Sequence, residues 1–314
     1  MAWRGVHLTE PSFLSLERNG LKVEREGEDA VNIPLEDLGW LIVDSNQATL
    51  TSRLLSECAE KGVCVIFTDT RHHPSAFLVP RFQYHRQLST VRAQVEARKK
   101  RKNRLWGMIV KQKILNQSAV LQKVEDARET VSNAKAMKRM AERVRNGDPD
   151  NIEALAAQSY WPKLFPGLVR RNYNDVRNAY LNYGYAIVRA LLARELAALG
   201  FELSFALHHA NTLNPFNLAD DLLEPFRPLV DGFICEHFSR FPDEHNEPAE
   251  FTKEDRQRLA ALPQAQIRLA GESMSIFAAA AICAANLRAA LVEPSYAALK
   301  LPLPLTGGET DGAG

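Results

Sequence analysis

The chain has 314 residues, 46% of them hydrophobic and 25% charged, with a formal net charge of +1 at pH 7. These values describe a soluble globular protein of two ordinary domains or one large one, and the net charge by itself predicts no polyanion partner. Four cysteines, Cys58, Cys64, Cys235 and Cys283, show no CxxC spacing, which argues against a structural zinc site and against a disulfide scaffold.

The N-terminal quarter reads as mostly β. Residues 13–18 and 21–25 flank Asn19-Gly20, a dipeptide that supplies the positive φ angles of a two-residue type I′ hairpin turn. Leu38–Val43 and residues 63–67 are apolar runs of strand length. Between them, residues 49–61 have helical spacing, with Leu50, Leu54, Leu55 and Cys58 on one face and Gly62 as the stop. A β-rich domain is therefore predicted over residues 1–82.

After His72-His73-Pro74 and Pro80 the β signals nearly vanish and helical periodicity takes over. Residues 91–117 read as one long basic helix, and 119–144 continue at helical spacing through Leu121, Val124, Ala127 and Val131. Asn146-Gly147-Asp148-Pro149-Asp150 is a break, after which Asp150 or Asn151 is expected to cap the helix bearing Glu153. Residues 176–199 form a long apolar helix stopped by Gly200, and 217–226 a second after a polar loop. Residues 239–248 read as a polar loop and 267–292 as a buried helix pair or one long helix. A helical domain is thus predicted over 83–302 and a disordered tail over 303–314, ending GGETDGAG. No run is long and apolar enough to span a bilayer, and nothing before Trp3-Arg4-Gly5 looks like a signal peptide, so no membrane partner and a cytoplasmic location are expected.

The near-neutral average hides an asymmetry. Residues 92–145 carry sixteen Lys or Arg against five Asp or Glu, whereas residues 220–255 carry eleven acids against three bases. A basic arm beside an acidic region suits work on nucleic acid, cations holding the backbone and carboxylates a metal ion. The run Arg98, Lys99, Lys100, Arg101, Lys102, followed by Arg104 and Trp106, would cover every side of a helix with like charge, which an anion such as the phosphate backbone relieves; the alternative is a solvated face. No base-reading motif is visible, so recognition of shape and backbone is expected. No Walker loop, GxSxG or cysteine nucleophile in context is present either.

Asp220, Asp221 and Glu224 share a largely apolar helix with Leu218, Leu222, Leu223 and Phe226. Buried carboxylates need a partner or a metal. Arg227 is a natural partner for one of them, and a solvated acidic stripe is the plainer alternative. His208 and His209 point in different directions, so at most one faces the same site as Glu224. Glu153 in a first helical turn is favoured by the helix dipole alone. Two carboxylates and an imidazole suit Mg²⁺ or Mn²⁺, but a triad so widely spaced is not diagnostic by spacing.

Four stretches together resemble the family of CRISPR-associated protein 1, in the branch found in type II systems. They are Ile33-Pro34-Leu35-Glu36-Asp37-Leu38 with the strand to Asp44; Glu153-Ala154 through Tyr160-Trp161; Asn178-Ala179-Tyr180-Leu181-Asn182-Tyr183-Gly184-Tyr185; and Leu207-His208-His209 through Asp221-Leu222-Leu223-Glu224-Pro225-Phe226-Arg227-Pro228. The resemblance implies an α+β multidomain protein, a β-rich N-terminal dimerisation domain before a larger all-helical catalytic domain. It implies Glu153, His209 and Glu224 as metal ligands and catalytic residues, with His208 and Asp221 beside them. Relatives commonly carry Asp at the position of Glu224, which leaves open whether Asp221 acts directly or through water. A homodimer working with a dimer of CRISPR-associated protein 2 on double-stranded DNA is implied too. The implied activity is insertion of short duplexes into a CRISPR array by transesterification. The rival readings are a metal-dependent repair nuclease and a non-catalytic scaffold whose acids form salt bridges.

Overall fold

Strand β1 (Arg4–Leu8) is followed by a hairpin whose turn sits one residue earlier than Asn19-Gly20 predicts. Strands β2 (Phe13–Glu17) and β3 (Gly20–Glu24) pair with Glu17 opposite Gly20. The two turn residues are Arg18 (φ 49°) and Asn19 (φ 62°), the left-handed pair that a type I′ turn demands. Gly20 is glycine for another reason: a Cβ there would lie 2.0 Å from Oδ1 of Asn32. The computed structural model describes residues 4–79, 87–128, 133–172, 174–238, 250–292 and 299–305, excluding the side chains of 125–128.

Strands β4 (Val31–Pro34), β5 (Leu38–Val43) and β6 (Thr49–Leu50) come next, then helix α1 (Ser52–Lys61) and strands β7 (Cys64–Thr68) and β8 (Pro74–Phe77). They form two four-stranded sheets, in the orders β4-β3-β2-β6 and β1-β5-β7-β8. Helix α1 begins later than predicted because Thr49 and Leu50 pair in parallel with Phe13 and Leu14, while the Thr51 hydroxyl accepts the Leu54 N–H at 3.3 Å. Gly62 (φ 72°) ends it as expected.

All six residues of β5 are buried, which explains its unbroken apolar run. Leu38, Leu41 and Val43 pack with Leu14, Leu21, Leu54 and Cys58, whereas Trp40 and Ile42 join the core of the helical region. Trp40 stacks obliquely on Phe277 at 5.5 Å and donates its indole N–H to the Ala260 carbonyl at 3.1 Å. Strand β5 thus belongs to two cores at once.

The helical region comprises α2 (Gln87–Glu96), α3 (Lys99–Arg128), α4 (Ala134–Arg143), α5 (Ile152–Leu164), α6 (Val176–Ala198), α7 (Asn217–Leu223), α8 (Arg227–His237), α9 (Lys253–Ala260) and α10 (Ile276–Val292). The single helix predicted over 91–117 is broken at Ala97-Arg98, where the Arg98 carbonyl accepts the N–H groups of Arg101 and Lys102 and starts a new helix. The predicted start of a helix at Ile267 is replaced by a hairpin of β9 (Gln266–Leu269) and β10 (Glu272–Ser275). Its turn residues Ala270 (φ 56°) and Gly271 (φ 94°) are both left-handed, and the alternation of buried Ile267 and Leu269 with Gln266 and Arg268 is a strand period that the neighbouring Ala-rich run obscured. Leu303, expected to begin the disordered tail, forms an antiparallel bridge with Arg268, each donating to the other at 2.8 Å. Residues 306–314 and the loop predicted over 239–248 lie outside the described residues. Among the described residues no helix is long and apolar enough to cross a membrane. The α+β architecture, a β-rich N-terminal region before a mainly helical one, is the one expected, and the β9–β10 hairpin is its departure from an all-helical second region.

Candidate active site

The site forms where α3, α5, the end of α7, the start of α8 and the loop at Leu207–His209 meet. Glu153 stands in the first turn of α5, whose two leading N–H groups, those of Ile152 and Glu153, both donate to the Asp148 carboxylate at 3.0 Å. Asn151 holds the N-cap position as expected, but the side chain that caps the helix is that of Asp148. Left-handed backbone at Gly147, Asp148 and Asn151 folds the Asp148 side chain over the helix end, while Asp150 pairs with Arg145 at 2.8 Å.

The three acids of the α7 segment separate into three roles: Asp220 and Asp221 are adjacent on the helix and point apart, and Glu224 lies at its C-terminal cap, where the predicted helix over 217–226 is interrupted. Asp220 turns toward α6, accepting from Asn214 at 2.6 Å with Arg189 3.9 Å away. Asp221 is fully buried and accepts the N–H groups of Leu207, His208 and His209 at 2.6, 3.0 and 3.2 Å. It thereby fixes the histidine loop. Glu224, only 5% exposed, faces the centre of the site.

Between Glu224 and Glu153 lies the ammonium of Lys113, 2.5 Å from Glu224 Oε2 and 2.6 Å from Glu153 Oε1. Arg227 donates its Nε–H to the other oxygen of Glu224 at 2.9 Å, the partnership expected from sequence. Burial opposes ionisation of Glu224, but the charges of Lys113 and Arg227 outweigh it and hold the carboxyl at about 2. Burial likewise works against the Lys113 charge, and Glu224 and Glu153 overcome it, raising its pKa above the ordinary lysine value. The sequence reading missed Lys113 as a site residue. Its signal was a cation three and four residues after buried Val110 and Ile109, on the apolar side of the helix.

The histidines part company. His208 stacks flat on Trp106, with ring centroids 4.3 Å apart and planes within 2°. His209 places Nδ1 2.6 Å from Asp221 Oδ1. That hydrogen bond raises the His209 pKa above its ordinary value against the effect of burial, with the charges of Asp221, Glu224 and Glu153 adding to it. His209 is thus within electrostatic reach of both glutamates.

Among the described residues no three His, Cys, Asp or Glu side chains converge as a ready metal cage. The donor set nevertheless fits a hard divalent ion. The position between the two carboxylates already takes a cation, and Asp221 at Nδ1 leaves Nε2 of His209 as the remaining imidazole donor.

The basic arm divides between two grooves. Lys99 and Lys102 share one with Leu207 and His208. Arg98, Lys100, Arg101 and Arg104 line the other with Leu291 and Val292. Arg98 precedes the helix rather than lying on it, and Arg101 donates to the Leu291 carbonyl at 2.6 Å. The run therefore does not present five equivalent cations around one helix, as the sequence suggested.

A further polar group lies beneath the site. Asp231 accepts the hydroxyls of Tyr160, at 2.9 Å, and of Tyr185, and the Arg227 guanidinium lies 4.7 Å over the Tyr185 ring. Burial pushes the Asp231 carboxyl up to about 6 despite those hydrogen bonds.

The family described as CRISPR associated protein Cas1 matches residues 6–261. The CRISPR-associated endonuclease Cas1 of Neisseria meningitidis serogroup C (strain 8013) is 37% identical over 309 residues, covering 97% of this chain and 98% of the relative. Among solved structures, a casposase bound to integration product has the same fold, with a TM-score of 0.74 at 16% identity over 98% of this chain and 94% of its own. A Cas6-RT-Cas1–Cas2 complex matches with a TM-score of 0.71 at 17% identity, over 98% of this chain and 36% of its own. Match of the family over most of the chain, and a relative aligned end to end, place this protein in the Cas1 family of CRISPR-associated endonucleases.

Proposed function

We propose that the protein is a metal-dependent DNA integrase and endonuclease that inserts short duplexes into a CRISPR array. The observation that carries the reading is the convergence of Glu153 and Glu224, from separate helices, on one cation-filled position within reach of His209. Glu153, Glu224 and His209 would hold a Mg²⁺ or Mn²⁺ ion, which when bound supplies polarisation of the scissile phosphate. Asp221 fixes the His209 ring and the loop carrying it, and Arg227 orients the Glu224 carboxylate. A 3′-hydroxyl of the incoming DNA attacks phosphorus; one P–O bond forms as another breaks, and the departing 3′-oxygen takes up the proton. The bond count is unchanged, so the step draws on no nucleotide hydrolysis. Lys99, Lys102 and their neighbours bear on the DNA backbone, where binding weakens as salt rises.

A homodimer formed through the N-terminal half and a Cas2 partner complete the reading. The matched Cas6-RT-Cas1–Cas2 complex includes Cas2, which supports that partner. The test is a joining assay with the protein, its Cas2-type partner, Mn²⁺ and a labelled 3′-hydroxyl duplex on a repeat-bearing plasmid. Label should enter the plasmid with wild type and with His208→Ala, and fail to enter with Glu224→Ala and His209→Ala. Cutting without joining by wild type would favour the repair nuclease. Equal activity of wild type and Glu224→Ala would remove Glu224 from the chemistry.

A further inference from the structure

Lys113 sits on the apolar stripe of α3 with its ammonium enclosed, its side chain only 12% exposed, touching one oxygen of each glutamate. Two carboxylates brought together away from water repel one another and need positive charge between them. Arg227 serves Glu224 from the other side, on Oε1, so it does not bridge the pair; Lys113 does. Its Nζ–O distances of 2.5 and 2.6 Å exceed the Mg²⁺–oxygen distance of about 2.0–2.1 Å by only a few tenths of an ångström. An ion and an ammonium cannot share that position, since like charges a few ångströms apart in a poorly hydrated pocket repel strongly. Lysine suits a place that must be vacated, being a point charge on a flexible stem, where arginine would offer a rigid planar fork.

We propose that Lys113 is a built-in placeholder for the divalent ion: it holds Glu153 and Glu224 at the spacing of a cation in the metal-free protein, and the ion binds by displacing it. The inference rests on the metal-site reading above. It predicts that Lys113 stabilises the metal-free protein while opposing metal affinity, so removing its charge moves the two quantities in opposite directions. A lysine that only braced the site would, when removed, weaken metal binding or leave it unchanged.

The experiment is Mn²⁺ titration calorimetry on the full chain without DNA, paired with thermal unfolding in chelator and in Mn²⁺. The variants are Lys113→Met, Lys113→Gln and Lys113→Arg. Both neutral variants should bind Mn²⁺ more tightly, by about tenfold, and melt lower than wild type in chelator, because Glu224 loses one of its two cations. Lys113→Arg should bind Mn²⁺ no more tightly than wild type, since its charge still competes and its rigid fork is harder to displace. Lys113→Gln retains a hydrogen-bond donor of similar reach and keeps the test open if Lys113→Met does not fold. Equal or weaker Mn²⁺ binding by the neutral variants overturns the placeholder role while leaving the metal site standing. Failure of folded wild type to bind Mn²⁺ overturns the metal site itself.

Discussion

Two sites in this molecule that pair carboxylates with histidine and a cation differ in construction. At the end of β5, Asp44 is fully buried. Its Oδ1 receives Thr68 at 3.0 Å and His72 at 2.7 Å, and its Oδ2 receives Arg256 at 2.7 Å and lies 3.1 Å from His7. Burial raises the Asp44 pKa, but hydrogen bonds from His7, Arg256 and His72 outweigh it and hold the carboxyl well below the usual range. Every lone-pair direction is spoken for by a directional donor, and Arg256 ties the strand to helix α9 across the two cores. Glu153 and Glu224 instead share a single ammonium, that of Lys113, while Arg227 reaches Glu224 alone. Saturation by fixed donors makes a clasp, whereas a shared point charge is the arrangement that the proposed metal site requires.

The largest expected effect separates the two by function. Glu153→Gln keeps the shape and neutralises a side chain that is 25% exposed, so the fold should survive while joining falls by about 10³-fold, the scale of losing several kcal/mol of transition-state stabilisation. Asp44→Asn should do the reverse. It leaves Arg256 buried without its counter-ion and should cost about 3–5 kcal/mol in denaturant unfolding, with joining per folded molecule preserved. A drop in joining per folded molecule for Asp44→Asn as large as for Glu153→Gln would break the contrast.

A third buried carboxylate sharpens it. Among the described residues Asp231 is held by two tyrosine hydroxyls with no cation in contact, and its carboxyl is pushed up to about 6 by burial. The unfolded chain ionises this group near the ordinary aspartate value of about 4, while the folded protein keeps the proton until about 6. Stability from this group is therefore full below about pH 4 and is lost as pH rises to about 6, a loss of about 3 kcal/mol. Asp231→Asn has no such proton to give up. The unfolding free energy of the variant minus that of wild type should shift in the variant's favour by up to that amount between pH 4 and pH 7. A pH-independent difference would mean that Asp231 is held as an anion, like Asp44.

How far these distinctions were legible in the sequence depends on whether the cause is local. The strands of 38–43, the stop at Gly62, the break before α5 and the long α6 follow from periodicity and turn chemistry, and the sequence showed them. The hairpin register differs by one because Asn-Gly can enter a turn at two offsets, and here the glycine stands on the strand, where a Cβ would meet Asn32. The β9–β10 hairpin was lost because four-residue strands beside an Ala-rich helix carry too weak a period. At the site, the acids and histidines stood out as residue types, but what each touches is a matter of tertiary placement. Asp221 anchors a loop fourteen residues upstream of it, and Lys113 reaches Glu153 across forty residues. Neither contact leaves a spacing rule behind.

The basic run offers the finest division, because neighbouring cations of one sequence motif face different grooves. Lys99 and Lys102 line the groove that reaches His208, whereas Arg101 is engaged with the Leu291 carbonyl at the end of α10. If DNA passes the site along the first groove, Lys99→Ala with Lys102→Ala removes two phosphate contacts. The slope of log affinity against log salt should then fall by about 2, with affinity lowered about tenfold at moderate salt. Arg101→Ala should leave the slope unchanged and instead lower the melting temperature by a few degrees, for the loss of one charge-assisted hydrogen bond worth about 1.5–3 kcal/mol. Filter-binding or anisotropy titrations at several salt concentrations read the first quantity and thermal unfolding the second. An unchanged slope in the double lysine variant would move the DNA path to the Arg98, Lys100 and Arg104 groove, and the two faces of the run would exchange roles.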